Sequence, residues 1–191
     1  MSIIVAIHRH GQITMAADTL TCFGDGEKAP SENCRTRKIF PIGNAHIGGT
    51  GWAVYDDIID HWMLEREAPL LDSRSAVFTY FLELWRGMRD GYPFVNDQAN
   101  SKDTPFTDLD SSFLVASSGG LFKVSSDLGV TEFKQYAAIG SGSEYALGAI
   151  EALWDRVDDD QDLARAAVRA ASRLDVHCGD DVDLIQVSTA G

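Results

Sequence analysis

Ser2 follows the initiator Met1, and a small second residue favours removal of that Met by aminopeptidase. The chain would then begin with a serine hydroxyl beside a free α-amine. An unperturbed α-amine titrates at about 7.7–8.0, so a good fraction is neutral near pH 7 and can accept a proton. One residue would then hold both nucleophile and base. Many proteins begin Met-Ser, so the pair alone carries little weight. Asp18 closes a strand-like run after Met15-Ala16-Ala17, and Lys38 follows Arg35-Thr36-Arg37. If their strands pair as hairpins, both point toward the chain start. A lysine there would disfavour protonation of a nearby amine, and an aspartate would anchor it. The bland alternative is a surface ion pair of little consequence.

Two glycine-rich junctions join strand to helix. Gly48-Gly49-Thr50-Gly51 could present backbone N–H groups to an oxyanion, or could be a turn needing positive φ. Gly140-Ser141-Gly142-Ser143 lies before a helix, with Ser143 as the expected N-cap. Neither has the lysine of a phosphate loop, and the second lacks the spacing of a nucleophile elbow. Leu174-Asp175-Val176-His177-Cys178 ends the last helix. His177 and Cys178 are adjacent rather than at ligand spacing, and no metal site is expected from the five histidines. Asp158-Asp159-Asp160 reads as a solvated turn with N-cap chemistry, not a calcium loop.

These residues need a scaffold. Ile3 to Ile7 is a β-branched run, the pattern of a strand buried on both faces. His10-Gly11 turns it into a partner strand, Gln12 to Asp18. Thr19 to Asn33 reads as a loop with short extended pieces. Arg35 to Pro41 and Ala45 to Thr50 form a second hairpin around Ile42-Gly43-Asn44. Helical spacing follows in Val54, Ile58, Ile59, Trp62 and Met63, and again in Val77, Tyr80, Phe81, Leu84 and Trp85 after an Asp72-Ser73 cap. Gly91 to Asp110 is a long polar loop. Strands are expected at Ser111 to Ala116, Leu121 to Ser125 and Val130 to Ile139. Helices are expected at Ser143 to Arg156 and Gln161 to Leu174, then a closing strand at Asp180 to Val187. Strand runs alternating with helix pairs imply an α+β arrangement of sheets covered by helical layers.

The 191 residues suit one domain. A net charge of −13 argues against unaided nucleic-acid binding and against docking on anionic membranes. Much of it falls at Asp158 to Asp162 and Asp180 to Asp183, expected to face solvent, so contacts between copies should weaken at high salt. Three widely spaced cysteines, no signal-like leader and no membrane-length apolar run lead to the expectation of a soluble, cytoplasmic protein.

Together these segments resemble the proteasome β-subunit family, in particular its bacterial HslV-like members. The resemblance runs along most of the chain. It is carried by the strand beginning at Ser2, by Ala16-Ala17-Asp18, by Arg37-Lys38-Ile39 and by Ile47-Gly48-Gly49-Thr50-Gly51. The Ala138–Gly148 stretch and the Asp175–Gly179 helix end complete it. The resemblance implies a four-layer αββα sandwich and an N-terminal nucleophile hydrolase. Ser2 would stand for the catalytic threonine, Lys38 for the lysine that tunes it and Asp18 for the aspartate that holds the lysine. Gly51 would donate its N–H to the oxyanion. Ser141 and Asp175 would hydrogen-bond around the amine. Cys178 takes the place of a second serine. Gly49 would lie at the base of the S1 pocket and leave room for a bulky apolar side chain. The implied substrate is peptide or unfolded polypeptide, cleaved inside stacked rings of six or seven subunits, usually gated by an ATPase ring, with no cofactor on this chain. Two other readings stay open: a non-catalytic structural ring subunit of the same fold, and a small-molecule amidase using the same serine.

Overall fold

The computed structural model describes residues 2–23, 26–34, 37–92, 109 and 111–190. Two hairpins open the chain. β1 (Ile4–Arg9) and β2 (Gln12–Asp18) are joined by His10 and Gly11, with φ of 57° and 72°, the left-handed pair that a two-residue hairpin turn needs. Two short strands, β3 (Thr21–Cys22) and β4 (Lys28–Ala29), pair within the expected loop. β5 (Ile39–Ile42) and β6 (Ala45–Thr50) form the second hairpin. Then come α1 (Val54–Met63) and α2 (Arg74–Gly91), the latter capped by the Ser73 hydroxyl, which accepts from Ala76 N–H at 3.3 Å. β7 (Ser112–Ser117), β8 (Gly120–Val124), β9 (Val130–Phe133) and β10 (Tyr136–Ile139) follow, then α3 (Ser143–Leu153), α4 (Asp160–Leu174) and β11 (Val182–Ser188).

The strands make two antiparallel sheets, ordered β10-β1-β2-β11 and β5-β6-β7-β8-β9. They pack face to face, with α3 and α4 outside the first and α1 and α2 outside the second: the αββα sandwich. The period of two explains the layers. Ile4 and Ala6 of β1 point into the inter-sheet core with Met15, Leu114 and Leu121. Ile3, Val5 and Ile7 point the other way, against Leu163, Val168 and Ala171 of α4. Ile47, Phe113 and Val115 meet Ile58, Val77 and Phe81 on the far side. That is why Ile3 to Ile7 is uniformly apolar: both of its faces are buried, each aliphatic side chain contributing about 1.5–3 kcal/mol.

Several expectations change. The extended run Val130 to Ile139 is two strands in different sheets, β9 on β8 and β10 on β1, because the chain crosses the sandwich at Lys134-Gln135. The strand expected from Arg35 starts at Ile39; Lys38 lies just before it, its carbonyl accepting from Gly49 N–H at 3.2 Å, and Arg35 and Thr36 lie outside the described residues. Ser143 is the first residue of α3 rather than its cap, and Gly142 at the cap position offers no side chain. That helix stops at Leu153 instead of Arg156. The polar loop Gly91 to Asp110 lies outside the described residues, apart from Gly91 and Tyr92 at the end of α2 and the buried Leu109. Met1 lies outside them as well.

The acidic turn also differs. Asp158, Asp159 and Asp162 are exposed, but Asp160 is buried and paired with Arg9 at 2.6 Å. The Arg9 guanidinium also donates to the carbonyls of Trp154, Val157 and Asp158 and stacks on the Trp154 ring. It closes the α3–α4 turn onto the end of β1, which helical periodicity cannot show.

Candidate active site

β1 lies inside its sheet between β2 and β10, antiparallel to both. Both neighbours therefore end where β1 begins. Ser2, two residues before β1, sits between Asp18 at the end of β2 and the Gly140-Ser141 loop leaving β10. The facing sheet brings Lys38 at the start of β5 and Gly49 to Gly51 at the end of β6. Residues far apart in sequence meet because five strands begin or end at one edge of the sandwich.

Asp18 is fully buried and takes four hydrogen bonds. Its Oδ1 accepts from Lys38 Nζ at 2.7 Å and from Ile3 N–H at 3.0 Å. Its Oδ2 accepts from Gly179 N–H at 2.9 Å and Leu20 N–H at 3.3 Å. Lys38 is buried too, so the pair is not the surface ion pair of the bland reading. A buried charge pair is tolerable only with such further bonds.

A second chain of hydrogen bonds runs behind Ser2. Ser2 N–H donates to Ser141 Oγ at 3.3 Å, and Ser141 bonds Asp175. Burial would raise the Asp175 carboxyl, but bonds from Ser141, His177 N–H and Cys178 Sγ outweigh it and hold the carboxyl below its ordinary value. The Cys178 thiol lies 3.5 Å from Asp175 Oδ2. Burial pushes it up to about 12, helped by the charges of Asp18 and Asp175, so it stays protonated at neutral pH. Gly140 lets the loop approach: with φ of 101°, a Cβ there would lie 2.1 Å from the Ser2 carbonyl oxygen.

Ser2 opens onto a cleft of about 310 Å³. Lys38, Gly49 and Gly51 line it, and Gly51 takes a φ of 131° that favours glycine. Phe23, Trp52 and Phe113 give it apolar walls. Of the sequence candidates, Ser2, Lys38, Gly49 and Gly51 line the cleft, Asp18 holds Lys38, and Ser141 and Asp175 stand behind the Ser2 nitrogen. Asp56 and Ser111 also line it, and the sequence reading missed both. Asp56 is one of two adjacent aspartates in the first turn of α1, which by type alone complement a helix dipole. Burial pushes its carboxyl up to about 7; repulsion from Asp57 and Asp60 adds to that, and Lys38 opposes it. The buried Ser111 Oγ has no hydrogen-bond partner among the described residues. Nothing in their spacing marks either one; only the fold turns them inward. Among the described residues, no group of three or more His, Cys, Asp or Glu could hold a metal ion. No helix among them is long and apolar enough to cross a membrane.

Comparison with known proteins agrees with this architecture. Residues 112–187 match the family model of the proteasome subunit, a stretch covering β7 to β11 but not Ser2, Asp18 or Lys38. Proteasome subunit beta 1 of Hyperthermus butylicus is 47% identical over 55 residues, 27% of either chain. That of Nitrosopumilus maritimus is 42% identical over 60 residues, 30% of either chain. The matches thus span about a third or less of these curated relatives. Solved structures match over nearly the whole length. Thiobacillus denitrificans BPH in complex with epoxomicin superposes with a TM-score of 0.88 at 28% identity, covering 99% of this chain and 100% of that one. Eukaryotic HslV from Trypanosoma brucei has the same fold, with a TM-score of 0.68 at 20% identity, covering 97% and 99%. The chain is similar to proteasome β subunits in sequence and to the BPH and HslV structures in fold.

Proposed function

We propose, from this similarity to proteasome β subunits, that the protein is a peptidase subunit of a self-compartmentalising ring protease, with Ser2 as nucleophile once Met1 is removed. The observation that carries the reading is the convergence at Ser2 of a buried Lys38–Asp18 pair on one side and the Ser141–Asp175 chain on the other, beside an open cleft. In this mechanism Ser2 Oγ attacks the peptide carbonyl, and the α-amine takes its proton, directly or through a water. The Lys38 charge favours the neutral amine, and Ser141 orients it. The Gly51 N–H stabilises the oxyanion of the tetrahedral intermediate. The proton passes to the leaving amine, and water then hydrolyses the acyl-enzyme. Stacked rings of six or seven copies would enclose these sites in the cytoplasm, with an ATPase ring delivering unfolded polypeptide. No cofactor takes part.

Intact mass and covalent labelling test this. The mature protein should lack Met1 and take up an epoxyketone probe at Ser2. Ser2→Ala and Lys38→Ala should each abolish the adduct, and sedimentation should give a ring mass. Retained Met1 with no adduct would leave the structural-subunit reading. Turnover of small amides by a monomer or dimer would leave the amidase reading.

A further inference from the structure

The wall of the cleft behind Gly49 is not purely apolar. A Cβ on Gly49 would meet the Phe113 ring at 3.0 Å and Asp56 Oδ1 at 3.5 Å. The Phe113 ring packs where a Gly49 side chain would stand, the Asp56 carboxylate lies beside it, and all three residues line the cleft. Ser111 lies in the same wall with its hydroxyl buried and unpartnered among the described residues. We infer that this cleft selects peptides with Lys or Arg at the residue whose carbonyl is attacked, Asp56 and Ser111 receiving the cationic tip. The inference rests on the peptidase reading and adds the substrate class to it.

Asp18 has four donors, whereas no hydrogen bond from a described residue supports the Asp56 carboxylate, and Asp57 and Asp60 on its own helix repel it. Lys38 is the cation that acts on it, and Lys38 is already bonded to Asp18. A large apolar occupant would strip water from Asp56 and leave it unpaired, a costly arrangement. A side chain with a methylene stem and a donor tip does the opposite. Its stem lies on Phe113, and its tip gives Asp56 a charge-assisted bond. A glycine at position 49 alone pointed to a bulky apolar residue; a carboxylate in the same wall of the cleft changes the preferred occupant.

The test uses fluorogenic peptides that differ only in Arg, Lys, Leu or Glu at the cleaved position, at pH 8. The wild type should favour Arg and Lys over Leu about tenfold or more in kcat/KM. Asp56→Asn, which keeps shape and loses charge, should lower that ratio about tenfold. Asp162→Asn, exposed in the first turn of α4 and outside the cleft, should leave the ratio where it was. A preference for Leu, or a ratio that Asp56→Asn does not move, would overturn the inference. A second arm needs no turnover: anisotropy of labelled peptides ending in Arg or Leu, bound to the Ser2→Ala protein. Tighter binding of the Arg peptide that Asp56→Asn erases supports the inference even if no peptide is cleaved, in which case only the peptidase reading falls. Equal binding of both peptides overturns it.

Discussion

Lys38 Nζ lies 2.7 Å from Asp18 Oδ1, with the Asp18 side chain fully buried and that of Lys38 only 8% exposed, toward the cleft. The two partners are not equivalent. Lys38→Met leaves Asp18 with three backbone donors, whereas Asp18→Ala leaves a buried ammonium and three orphaned N–H groups. Asp18→Ala should cost about 3–5 kcal/mol in denaturant unfolding, and Lys38→Met clearly less. Both should lose epoxyketone labelling. Equal stability losses would show that the backbone donors do not support the carboxylate.

Gly140→Ala should damage the site out of proportion to its size. The new methyl would collide with the Ser2 carbonyl oxygen at 2.1 Å, and φ of 101° is strained for any side chain. We expect a loss of about 2 kcal/mol or more and little Ser2 labelling. Gly148→Ala is the matched control. It lies inside α3 with nothing within 4 Å of the added methyl and should gain about 0.5–1 kcal/mol.

Asp56 ties stability to pH with a definite sign. Its folded pKa of about 7 is above the unfolded value of 3.8, so the folded state holds its proton more tightly. Its favourable contribution is complete below about pH 4 and disappears as pH rises to about 7. Asp56→Asn should therefore match the wild type in unfolding free energy near pH 4 and exceed it at pH 8 by roughly 2–4 kcal/mol, with Tm following in the same direction. In the same interval, cleavage after Arg should gain on cleavage after Leu as Asp56 ionises. A Tm difference that does not vary from pH 4 to pH 8 would contradict the burial of this charge.

Cys178 should resist alkylation. Its thiol is buried and stays protonated up to about 12. At pH 8, iodoacetamide should modify the half-buried Cys22 and Cys34 first, read by peptide mass mapping.

Arg9→Lys should loosen the α3–α4 turn. A lysine cannot reproduce donation to three carbonyls and the Asp160 carboxylate together. We expect about 1–3 kcal/mol of lost stability and faster amide exchange at residues 154–160.

Periodicity and residue type were enough to place most of the elements and the two glycine junctions. Strand alternation and helical spacing are local properties, and turn residues such as His10-Gly11 mark local geometry. Ser2, Asp18, Lys38 and Gly51 were nameable for the same reason, each sitting at an element end or glycine junction, whereas Ser141 and Asp175 were named only by the resemblance to proteasome β subunits. Their meeting was expected only through assumed hairpin pairing and the resemblance, not from any local pattern. It follows from β1 lying between β2 and β10, a long-range pairing that no window of sequence contains. The division of Val130 to Ile139 between two sheets, the burial of Asp160 under Arg9 and the inward turn of Asp56 have the same origin. A charged residue in a helix's first turn looks solvated by its type. Only the packing of α1 beside the end of β6 decides that this carboxylate faces a cleft, because burial and electrostatic environment are set by neighbours distant along the chain.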